Sequence, residues 1–302
     1  MKQVLFGGES VSAVAMGCMR LTDAASVDRT IGTALECGVS FFDHADIYGG
    51  GECERLFGAY LAAHKALRDK IFIQTKCGIR KGCYDFSRDH IIEAAEGSLR
   101  RLGVDHADAL LLHRPDTLME PEEVAEAFDR LAQSGKVRHF GVSNHSPMQI
   151  ELLKTAVRQP VVADQLQFSL TESGMVASGL NVNMKNDESV MHDGALLEYC
   201  RIRGITIQTW SPFQRGFFGG SFIGDEENYP ALNAKLRLLA EKYGVTPTGV
   251  AAAWILRHPA RMQLISGSMD PARIREITAG AAVELSREDW YSLYLAAGYR
   301  LP

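Results

Sequence analysis

The stretch IFIQTKCGIRKGCYDFSRDHIIEAAEGSLRRLGVDHADALLLH, residues 71–113, contains one complete unit of strand, helix and strand. An apolar, β-rich run begins at Ile71, a stretch with helical periodicity covers 88–102, and a second apolar run begins near Ala109. Gly103 follows the helical stretch, where a left-handed residue commonly ends a helix. This order is typical of two parallel strands joined by a crossover helix.

The same alternation continues along the chain on both sides of this unit. We predict eight strands, which begin near Val14, Val39, Ile71, Ala109, Val137, Val161, Ile205 and Gln263. The predicted helices include 26–37, 52–66, 88–102, 121–134, 147–157, 194–203 and 271–281. Eight such units in 302 residues predict an α/β protein with a (β/α)8, or TIM, barrel.

A doubly wound parallel sheet is the alternative architecture. It needs a glycine-rich GxGxxG turn after the first strand, but that strand is followed by MGCMRLTD. Ahead of the barrel, a turn at Gly7-Gly8 predicts an N-terminal β-hairpin, which could plug the barrel end. After the eighth unit, Ser286 is a candidate cap for an extra C-terminal helix. Since composition shows no break, we expect one domain over residues 1–302.

Composition excludes several classes of protein. With 32 Lys+Arg against 37 Asp+Glu the net charge is −5, which argues against a general binder of nucleic acid or of anionic membranes. The six cysteines show no CxxC pair or zinc-type spacing, and no apolar run is long enough for a signal peptide core or a membrane helix. We therefore expect a cytoplasmic protein with small-molecule partners and free thiols.

Two connections are much longer than a compact barrel needs. The sixth is TESGMVASGLNVNMKNDESVMHDG, residues 171–194, and the seventh is SPFQRGFFGGSFIGDEENYP, residues 211–230. Both follow the carboxyl end of a strand, which is the face where barrel enzymes build active sites. We expect both to form a wall over the substrate.

Polar and ionisable residues end five otherwise apolar strands. They are Asp43, His44, Asp46, Lys76, His113, Ser143, Asn144 and Gln165. A single residue of this kind is usually an ordinary surface or core residue, but five strands that end this way converge on one barrel mouth.

Two chemistries compete for this cluster. Asp43, His44, Asp46 and His113 could bind a catalytic divalent metal, as in a metal-dependent hydrolase, but Lys76 would repel the ion.

The alternative is proton transfer. An ammonium beside Tyr48 lowers the pKa of the phenol, and a carboxylate beyond it keeps the lysine charged. Asp43, Tyr48, Lys76 and His113 would then act together to protonate an oxyanion.

The chain resembles the aldo-keto reductase family from about Gly7 to about Leu295. The matching segments are FFDHADIYGGGECERLFG, IFIQTK, ALLLHRPD, GKVRHFGVSN, DQLQFSL, TIQTWSPF and ISGSMDPARIREI. The resemblance implies an NADP(H)-dependent enzyme, without a metal, that reduces an aldehyde or ketone. Asp43, Tyr48, Lys76 and His113 match the catalytic tetrad, with Tyr48 as general acid and His113 orienting the substrate oxygen.

The resemblance also implies which residues bind the cofactor. Ser143, Asn144 and Gln165 match positions that hold the nicotinamide carboxamide, and Trp210 matches the aromatic residue that stacks on its ring. The remaining implied contacts are with the pyrophosphate, the adenosine 2′-phosphate and the adenine, through Ser211, Pro212, Ser268, Arg273 and Glu276.

Some positions depart from the common family pattern. Gly267 stands where many members have a second phosphate-binding lysine, and Ile277 where an asparagine is frequent. Because one arginine alone gives weaker charge-assisted binding, NAD(H) is an alternative cofactor. Gln167 and Met19 replace a more usual Glu and an aromatic residue and are expected to alter the pocket.

Further candidates for the substrate pocket are apolar residues and one arginine after strands or in long loops, which could equally be loop packing. They are Met19, Arg20, Tyr84, Phe86, Phe168, Phe213, Phe217 and Phe218. Arg20 could bind a carboxylate, but the sequence offers no second basic residue to support it. An alternative function is a cofactor-binding regulatory subunit, as in the potassium-channel β subunits of the same family.

Overall fold

The structure is a computed structural model, and it describes residues 1–217 and 219–302. Its strands are β1 (Gln3–Phe6), β2 (Glu9–Ser12), β3 (Val14–Gly17), β4 (Phe41–Asp43), β5 (Phe72–Cys77), β6 (Ile79–Arg80), β7 (Cys83–Tyr84), β8 (Ala107–Leu112), β9 (Val137–Ser143), β10 (Val161–Gln167), β11 (Thr206–Trp210) and β12 (Met262–Ser266). Its helices are α1 (Ala24–Glu36), α2 (Glu52–Ala63), α3 (Arg88–Leu102), α4 (Pro121–Gln133), α5 (Pro147–Leu153), α6 (Gly174–Leu180), α7 (Leu196–Arg203), α8 (Pro230–Tyr243), α9 (Pro247–Arg257), α10 (Pro271–Gly280) and α11 (Arg287–Ala296).

Eight parallel strands close into a barrel in chain order, β3-β4-β5-β8-β9-β10-β11-β12, and β12 pairs back onto β3. All eight predicted strands are present, so the (β/α)8 prediction is confirmed. Helices surround the barrel because the outward faces of the strands are apolar and need cover. The order matters for function, since it brings the carboxyl ends of all eight strands to one mouth.

The predicted hairpin closes the opposite end of the barrel. Strands β1 and β2 pair with Phe6 opposite Glu9, around the turn at Gly7-Gly8. The Phe6 ring is fully buried, 5.3 Å from the ring of Phe41 and 5.1 Å from that of Phe72. This buried aromatic cluster fills the end of the barrel opposite the mouth.

The predicted helices are found within a few residues of their expected bounds, and the extra C-terminal helix, α11, is capped by Ser286. Ser146 and Asp270 cap α5 and α10 through their side chains. Ser87 stands at the N-cap of α3 but makes no side-chain cap bond.

Single-domain organisation over 1–302 remains a prediction. Across 1–217 and 219–302, no helix combines the length and apolarity that a membrane crossing requires.

Helices α9 and α10 pack so closely that their backbones touch at Gly249 and Gly280. A methyl group on Gly280 would lie 2.1 Å from the carbonyl oxygen of Gly249. We expect Gly280→Ala to lower the free energy of unfolding by about 3 kcal/mol, because backbone atoms cannot yield as a flexible side chain can.

Urea titration measures this change. The matched control is Gly32→Ala in α1, where a methyl group would meet no atom within 4 Å. It is expected to raise stability by up to about 1 kcal/mol through helix propensity. A loss below about 0.5 kcal/mol for Gly280→Ala would contradict the close packing.

Candidate active site

Four side chains from three neighbouring strand ends and one turn meet at the barrel mouth. Asp43 is the last residue of β4, Lys76 lies in β5, and His113 directly follows β8. Tyr48 opens a short 3-10 turn, Tyr48–Gly51, ahead of α2. The backbone N–H of Asp46 donates to the Lys76 carbonyl, 3.0 Å away, which ties the start of this segment to β5.

Lys76 is the centre of the group. It is fully buried, and its ammonium donates to Asp43 Oδ2 at 2.8 Å, to the carbonyl of His44 at 2.9 Å and to Tyr48 Oη at 3.0 Å. These three bonds use all three ammonium protons, so the buried charge is fully satisfied. Because the phenol oxygen accepts from Lys76, the phenol O–H is left to donate elsewhere.

The sequence predicts that Lys76 lowers the pKa of Tyr48, and the structure corrects this prediction. Burial raises the pKa of Tyr48 above 10, and the lowering effect of Lys76 does not overcome it. For Lys76 itself, burial acts to lower the pKa, but Asp43 and Tyr48 outweigh it and the net direction is upward. In the protein described here, Tyr48 therefore keeps its proton and Lys76 its charge at neutral pH.

His113 is a neutral imidazole at physiological pH. Burial, with Lys76 and Arg114 nearby, lowers its pKa to about 2. Its ring lies edge-on to that of Tyr48, with centroids 6.0 Å apart. A neutral histidine in this place can donate one N–H to a ligand oxygen without bringing a second positive charge.

A network of glutamines inside the barrel holds Asp43. Gln74 and Gln165 both donate to Asp43 Oδ1, at 2.5 and 3.1 Å. Gln208 joins them by accepting from both side chains, and it donates to Gln263 Oε1 at 2.8 Å. These bonds leave Asp43 Oδ2 for Lys76, so they set the position of the carboxylate that holds the ammonium.

A cavity of about 890 Å³ opens above the four side chains. Its lining includes most of the site residues predicted from the sequence, namely Asp43, Tyr48, His113, Ser143, Asn144, Gln165, Trp210, Ser211, Pro212, Ser268 and Arg273. Lys76 lies beneath this surface, where it contacts Tyr48.

One part of the lining suits a primary carboxamide. Asn144 has a left-handed backbone (φ 60°), donates to Ser143 Oγ at 2.7 Å and accepts from the Trp210 indole at 3.1 Å. Gln165 uses its amide N–H groups on Asp43 and Gln208, which leaves its amide oxygen as an acceptor at the cavity. A second N–H of Asn144 and the oxygen of Gln165 form the donor and acceptor pair that a carboxamide needs.

The opposite end of the cavity is formed by the segment that leads into α10. Ser268, Asp270 and Arg273 all contribute to the lining there. Asp270 accepts from the backbone N–H of Ala272 and so caps the helix. Glu276 lies one turn further along α10 and is not among the described lining residues, so its role in cofactor binding remains a prediction.

The long connections behave differently from one another. The seventh supplies lining residues from Ser211 to Gln214 together with Phe217 and Ser221, as expected. Expecting the same of the sixth is wrong, because none of its residues lines the described cavity. It forms α6 and packs outside the barrel, where Ser173 N–H donates to the Tyr299 hydroxyl at 2.9 Å.

Of the residues proposed for the substrate pocket, some line the cavity and others are buried in the packing. Met19, Arg20, Tyr84, Phe213 and Phe217 line the cavity. Phe86 and Phe168 are buried instead and stack on His145 and Trp254, so they are packing residues. Phe218 lies outside the described residues.

The metal alternative does not fit the geometry. Asp43 is paired with Lys76, and the His44 ring packs against Phe57, with centroids 4.6 Å apart. Burial and the charge of Lys76 lower the pKa of His44 to about 3. In the described part of the chain, no three His, Cys, Asp or Glu side chains converge on a common point.

Sequence reasoning missed three features of the site. Arg114, next to His113, lines the cavity, and Asp270 adds a carboxylate near Arg273. The third is the glutamine network, whose signal is a glutamine in otherwise apolar strands such as IFIQTK and TIQTW. A buried polar residue in such a strand needs a partner across the barrel.

The fold and this site define a barrel enzyme with a buried lysine beside a cavity tyrosine. Residues 13–294 match the model of the Aldo/keto reductase family. The 6-dehydroglucose reductase of Agrobacterium fabrum is 36% identical over 287 residues, covering 91% of this chain and 89% of that protein. The oxidoreductase YdhF of Escherichia coli is 36% identical over 311 residues, covering 98% and 97%.

A solved structure supports the same fold. It is an aldo/keto reductase from Klebsiella pneumoniae in complex with NADP and acetate, which matches with a TM-score of 0.77 at 22% identity over 97% of this chain and 94% of that one. The chain belongs to the aldo/keto reductase family. Membership makes it an oxidoreductase that uses a nicotinamide cofactor.

Proposed function

We propose that the protein reduces an aldehyde or ketone to an alcohol with NADPH, with Tyr48 as the general acid. The observation that carries the proposal is the bond from Lys76 to Tyr48 Oη at 3.0 Å, at the base of a cavity that His113 also lines. A protonated phenol whose oxygen is held by a buried ammonium can release a proton and stabilise the phenolate that remains.

The reaction needs one hydride and one proton. Reduced nicotinamide, when bound, supplies the hydride to the carbonyl carbon. Tyr48 gives its proton to the carbonyl oxygen, and Lys76 stabilises the resulting phenolate until solvent returns a proton. The neutral ring of His113 donates an N–H to the same oxygen and so orients the carbonyl.

The amide groups above the tetrad hold the cofactor in this proposal. Asn144 donates to the carboxamide oxygen, Gln165 accepts from its nitrogen, and Trp210 offers a ring for stacking. Ser143 supports Asn144 through the 2.7 Å bond between their side chains. Ser211 and Pro212, at the start of the seventh connection, lie along the path to the pyrophosphate.

The preference for NADP over NAD rests on the other end of the cavity. Arg273 has no ion pair within the described residues, so its guanidinium is available to a 2′-phosphate. Asp270 on the same lining would oppose the phosphate charge, and Gly267 offers none to favour it. We therefore expect NADP(H) to be preferred, with NAD(H) still accepted.

Replacement of Arg273 tests this preference. We expect Arg273→Met to raise the Kd for NADPH about 10- to 100-fold, because a charge-assisted bond to the phosphate is lost. The Kd for NADH should change by no more than about twofold. Fluorescence titration with both cofactors gives the values.

The matched control is Arg275→Met, two positions along the same helix. Arg275 is exposed, pairs with Glu36 at 3.1 Å and does not line the described cavity. Its replacement should leave both dissociation constants unchanged. Equal losses for NADPH and NADH in Arg273→Met would refute the assignment to the 2′-phosphate.

The reaction itself is tested by following NADPH consumption over a panel of aldehydes and ketones. The curated relatives named reductases support a small carbonyl substrate. Tight NADPH binding with no turnover across the panel would instead favour the regulatory-subunit alternative.

A cytoplasmic location belongs to the same proposal, and it is supported by the six cysteines, all of which are free.

A further inference from the structure

Two arginines line the cavity at the barrel mouth. Arg20 follows β3, and Arg114 follows His113 at the end of β8. The sequence suggested a role for Arg20 only if a second basic residue lay near it. The structure supplies that second residue, because the closed barrel brings both loops to one mouth.

Neither arginine has a counterion among the described residues. No carboxylate lies within 4.0 Å of either guanidinium. The acidic residues of the lining are already engaged, since Asp43 pairs with Lys76 and Asp270 caps α10. The cavity lining therefore carries uncompensated positive charge at Arg20 and Arg114, which favours an anion.

The backbone of Arg114 starts far around the barrel from the strand that leads to Arg273. Its guanidinium carbon lies 5.6 Å from the centroid of the Trp210 ring, so the side chain reaches across the mouth from β8 toward β11. Strand β8 stands four places around the barrel from β12, which leads to Arg273. In an eight-stranded barrel that is the opposite side, whereas Arg20 follows β3, which pairs directly with β12.

Arg114 also lies close to the group that would hold the carbonyl oxygen. Three effects lower the pKa of His113. Burial is the largest, the charge of Lys76 is the second, and the charge of Arg114 is the third. Apolar and aromatic residues complete this end of the lining, among them Ile47, Ile79 and Tyr84. A carbon chain can rest on these surfaces while an acidic group meets the arginines.

Resting on the proposed reduction, we propose that the substrate is a carbonyl compound that also carries an acidic oxygen group, a carboxylate or a phosphate. Arg114 holds this group with its planar fork, and Arg20 adds a second positive charge to the same lining. The substrate class is thus an oxo acid or a phosphorylated aldehyde or ketone, and the two arginines determine specificity.

Binding to the NADP-loaded protein tests this without turnover. The probes are two acids, 4-formylbenzoate and 4-oxobutanoate, and glyceraldehyde 3-phosphate, with their neutral partners methyl 4-formylbenzoate, butanal and glyceraldehyde. By calorimetry we expect at least one anionic member to bind about 10-fold or more tightly than its partner. Which member wins distinguishes a carboxylate from a phosphate.

Replacing each arginine tests which residue causes the preference for the anion. Arg114→Met should weaken binding of that anion about 30-fold and leave its neutral partner unchanged, while Arg114→Lys restores part of the loss. Arg20→Met should have the same selectivity with a smaller effect. The matched control is Arg80→Met, an exposed arginine paired with Asp85 outside the described lining.

The outcomes are separable. If no anion binds better than its neutral partner, or if Arg114→Met weakens both equally, the assignment of the arginines is wrong. If Arg114→Met raises the Kd for NADPH instead, the arginine serves the cofactor and the proposal also fails. Selective binding without any NADPH oxidation would uphold the anion site and overturn the proposed reduction.

Discussion

Tyr48→Phe is expected to lower kcat for NADPH-dependent carbonyl reduction about 10³-fold, because it removes the hydroxyl that donates the proton. The ring stays, so the cavity keeps its shape and the Kd for NADPH should change by no more than about twofold. Steady-state rates on any carbonyl that the wild-type protein reduces, with fluorescence titration of NADPH, measure both quantities.

The matched control is Tyr60→Phe. Tyr60 lies in α2 and stacks on His64 away from the described cavity, with ring centroids 4.2 Å apart, so its hydroxyl should not affect the rate. If Tyr48→Phe kept more than about a tenth of the wild-type rate, another group would have to be the acid. Loss of NADPH binding would point to a damaged site rather than a missing proton donor.

The second large effect concerns stability and pH. Asp164 lies in β10 beside Gln165 and is fully buried, and no side chain among the described residues pairs with its carboxyl group. Burial raises its pKa to about 8, although the backbone of His145 and Asn144 acts in the opposite direction. The folded protein therefore holds this proton at neutral pH, whereas an unfolded chain releases it near pH 4.

The sign follows from the proton balance. Between the unfolded and folded pKa values the folded state binds more protons, so stability falls as the pH rises through this window. From pH 5 to pH 8 we expect the contribution of Asp164 to drop by about 4 kcal/mol, at about 1.4 kcal/mol per pH unit. Asp164→Asn, which cannot ionise, should gain stability over the wild type steadily from pH 5 to pH 8.

Urea titrations at several pH values measure the difference between the two proteins. Taking that difference cancels the other titrating groups they share. Asp69→Asn, at an exposed position with no ion pair, serves as the control and should follow the wild-type pH curve. Parallel curves for wild type and Asp164→Asn would show that Asp164 ionises in the folded protein as it does in water.

The two effects meet in the same part of the molecule. Asp164 lies near the backbone of Asn144, while its neighbour Gln165 bonds to Asp43 inside the barrel. Ionisation of Asp164 would therefore change the hydrogen bonding of the backbone that is proposed to hold the carboxamide. We infer that the same strand supports both stability and cofactor positioning.

Much of the architecture follows from local sequence. Strand and helix periodicity, the turn at Gly7-Gly8 and the cap at Ser286 depend on residues close together in the chain, so the barrel, hairpin and final helix could be predicted. The alignment of Asp43, Lys76 and His113 could be predicted too, because a barrel brings all its carboxyl strand ends to one mouth.

Other features depend on how distant segments pack. A sequence indicates that Lys76 is near Tyr48, but the net pKa of the phenol depends on burial, which tertiary packing decides. Likewise, the sixth connection has the length of an active-site loop, yet it packs against Tyr299 at the far end of the chain. The length of a loop does not predict which part of the protein the loop packs against.

By itself the sequence determined the fold, because the fold follows from local periodicity, and it indicated the family and the four residues of the proposed tetrad through its resemblance to known members. The tertiary structure decided which of those residues meet and what surrounds them. It joined Asp43 to a glutamine network, brought Arg114 and Arg20 into one cavity lining, and buried Asp164 without a side-chain partner. The physical reason is that charge, burial and hydrogen bonding depend on distances between residues far apart in the chain, which exist only once the barrel has closed.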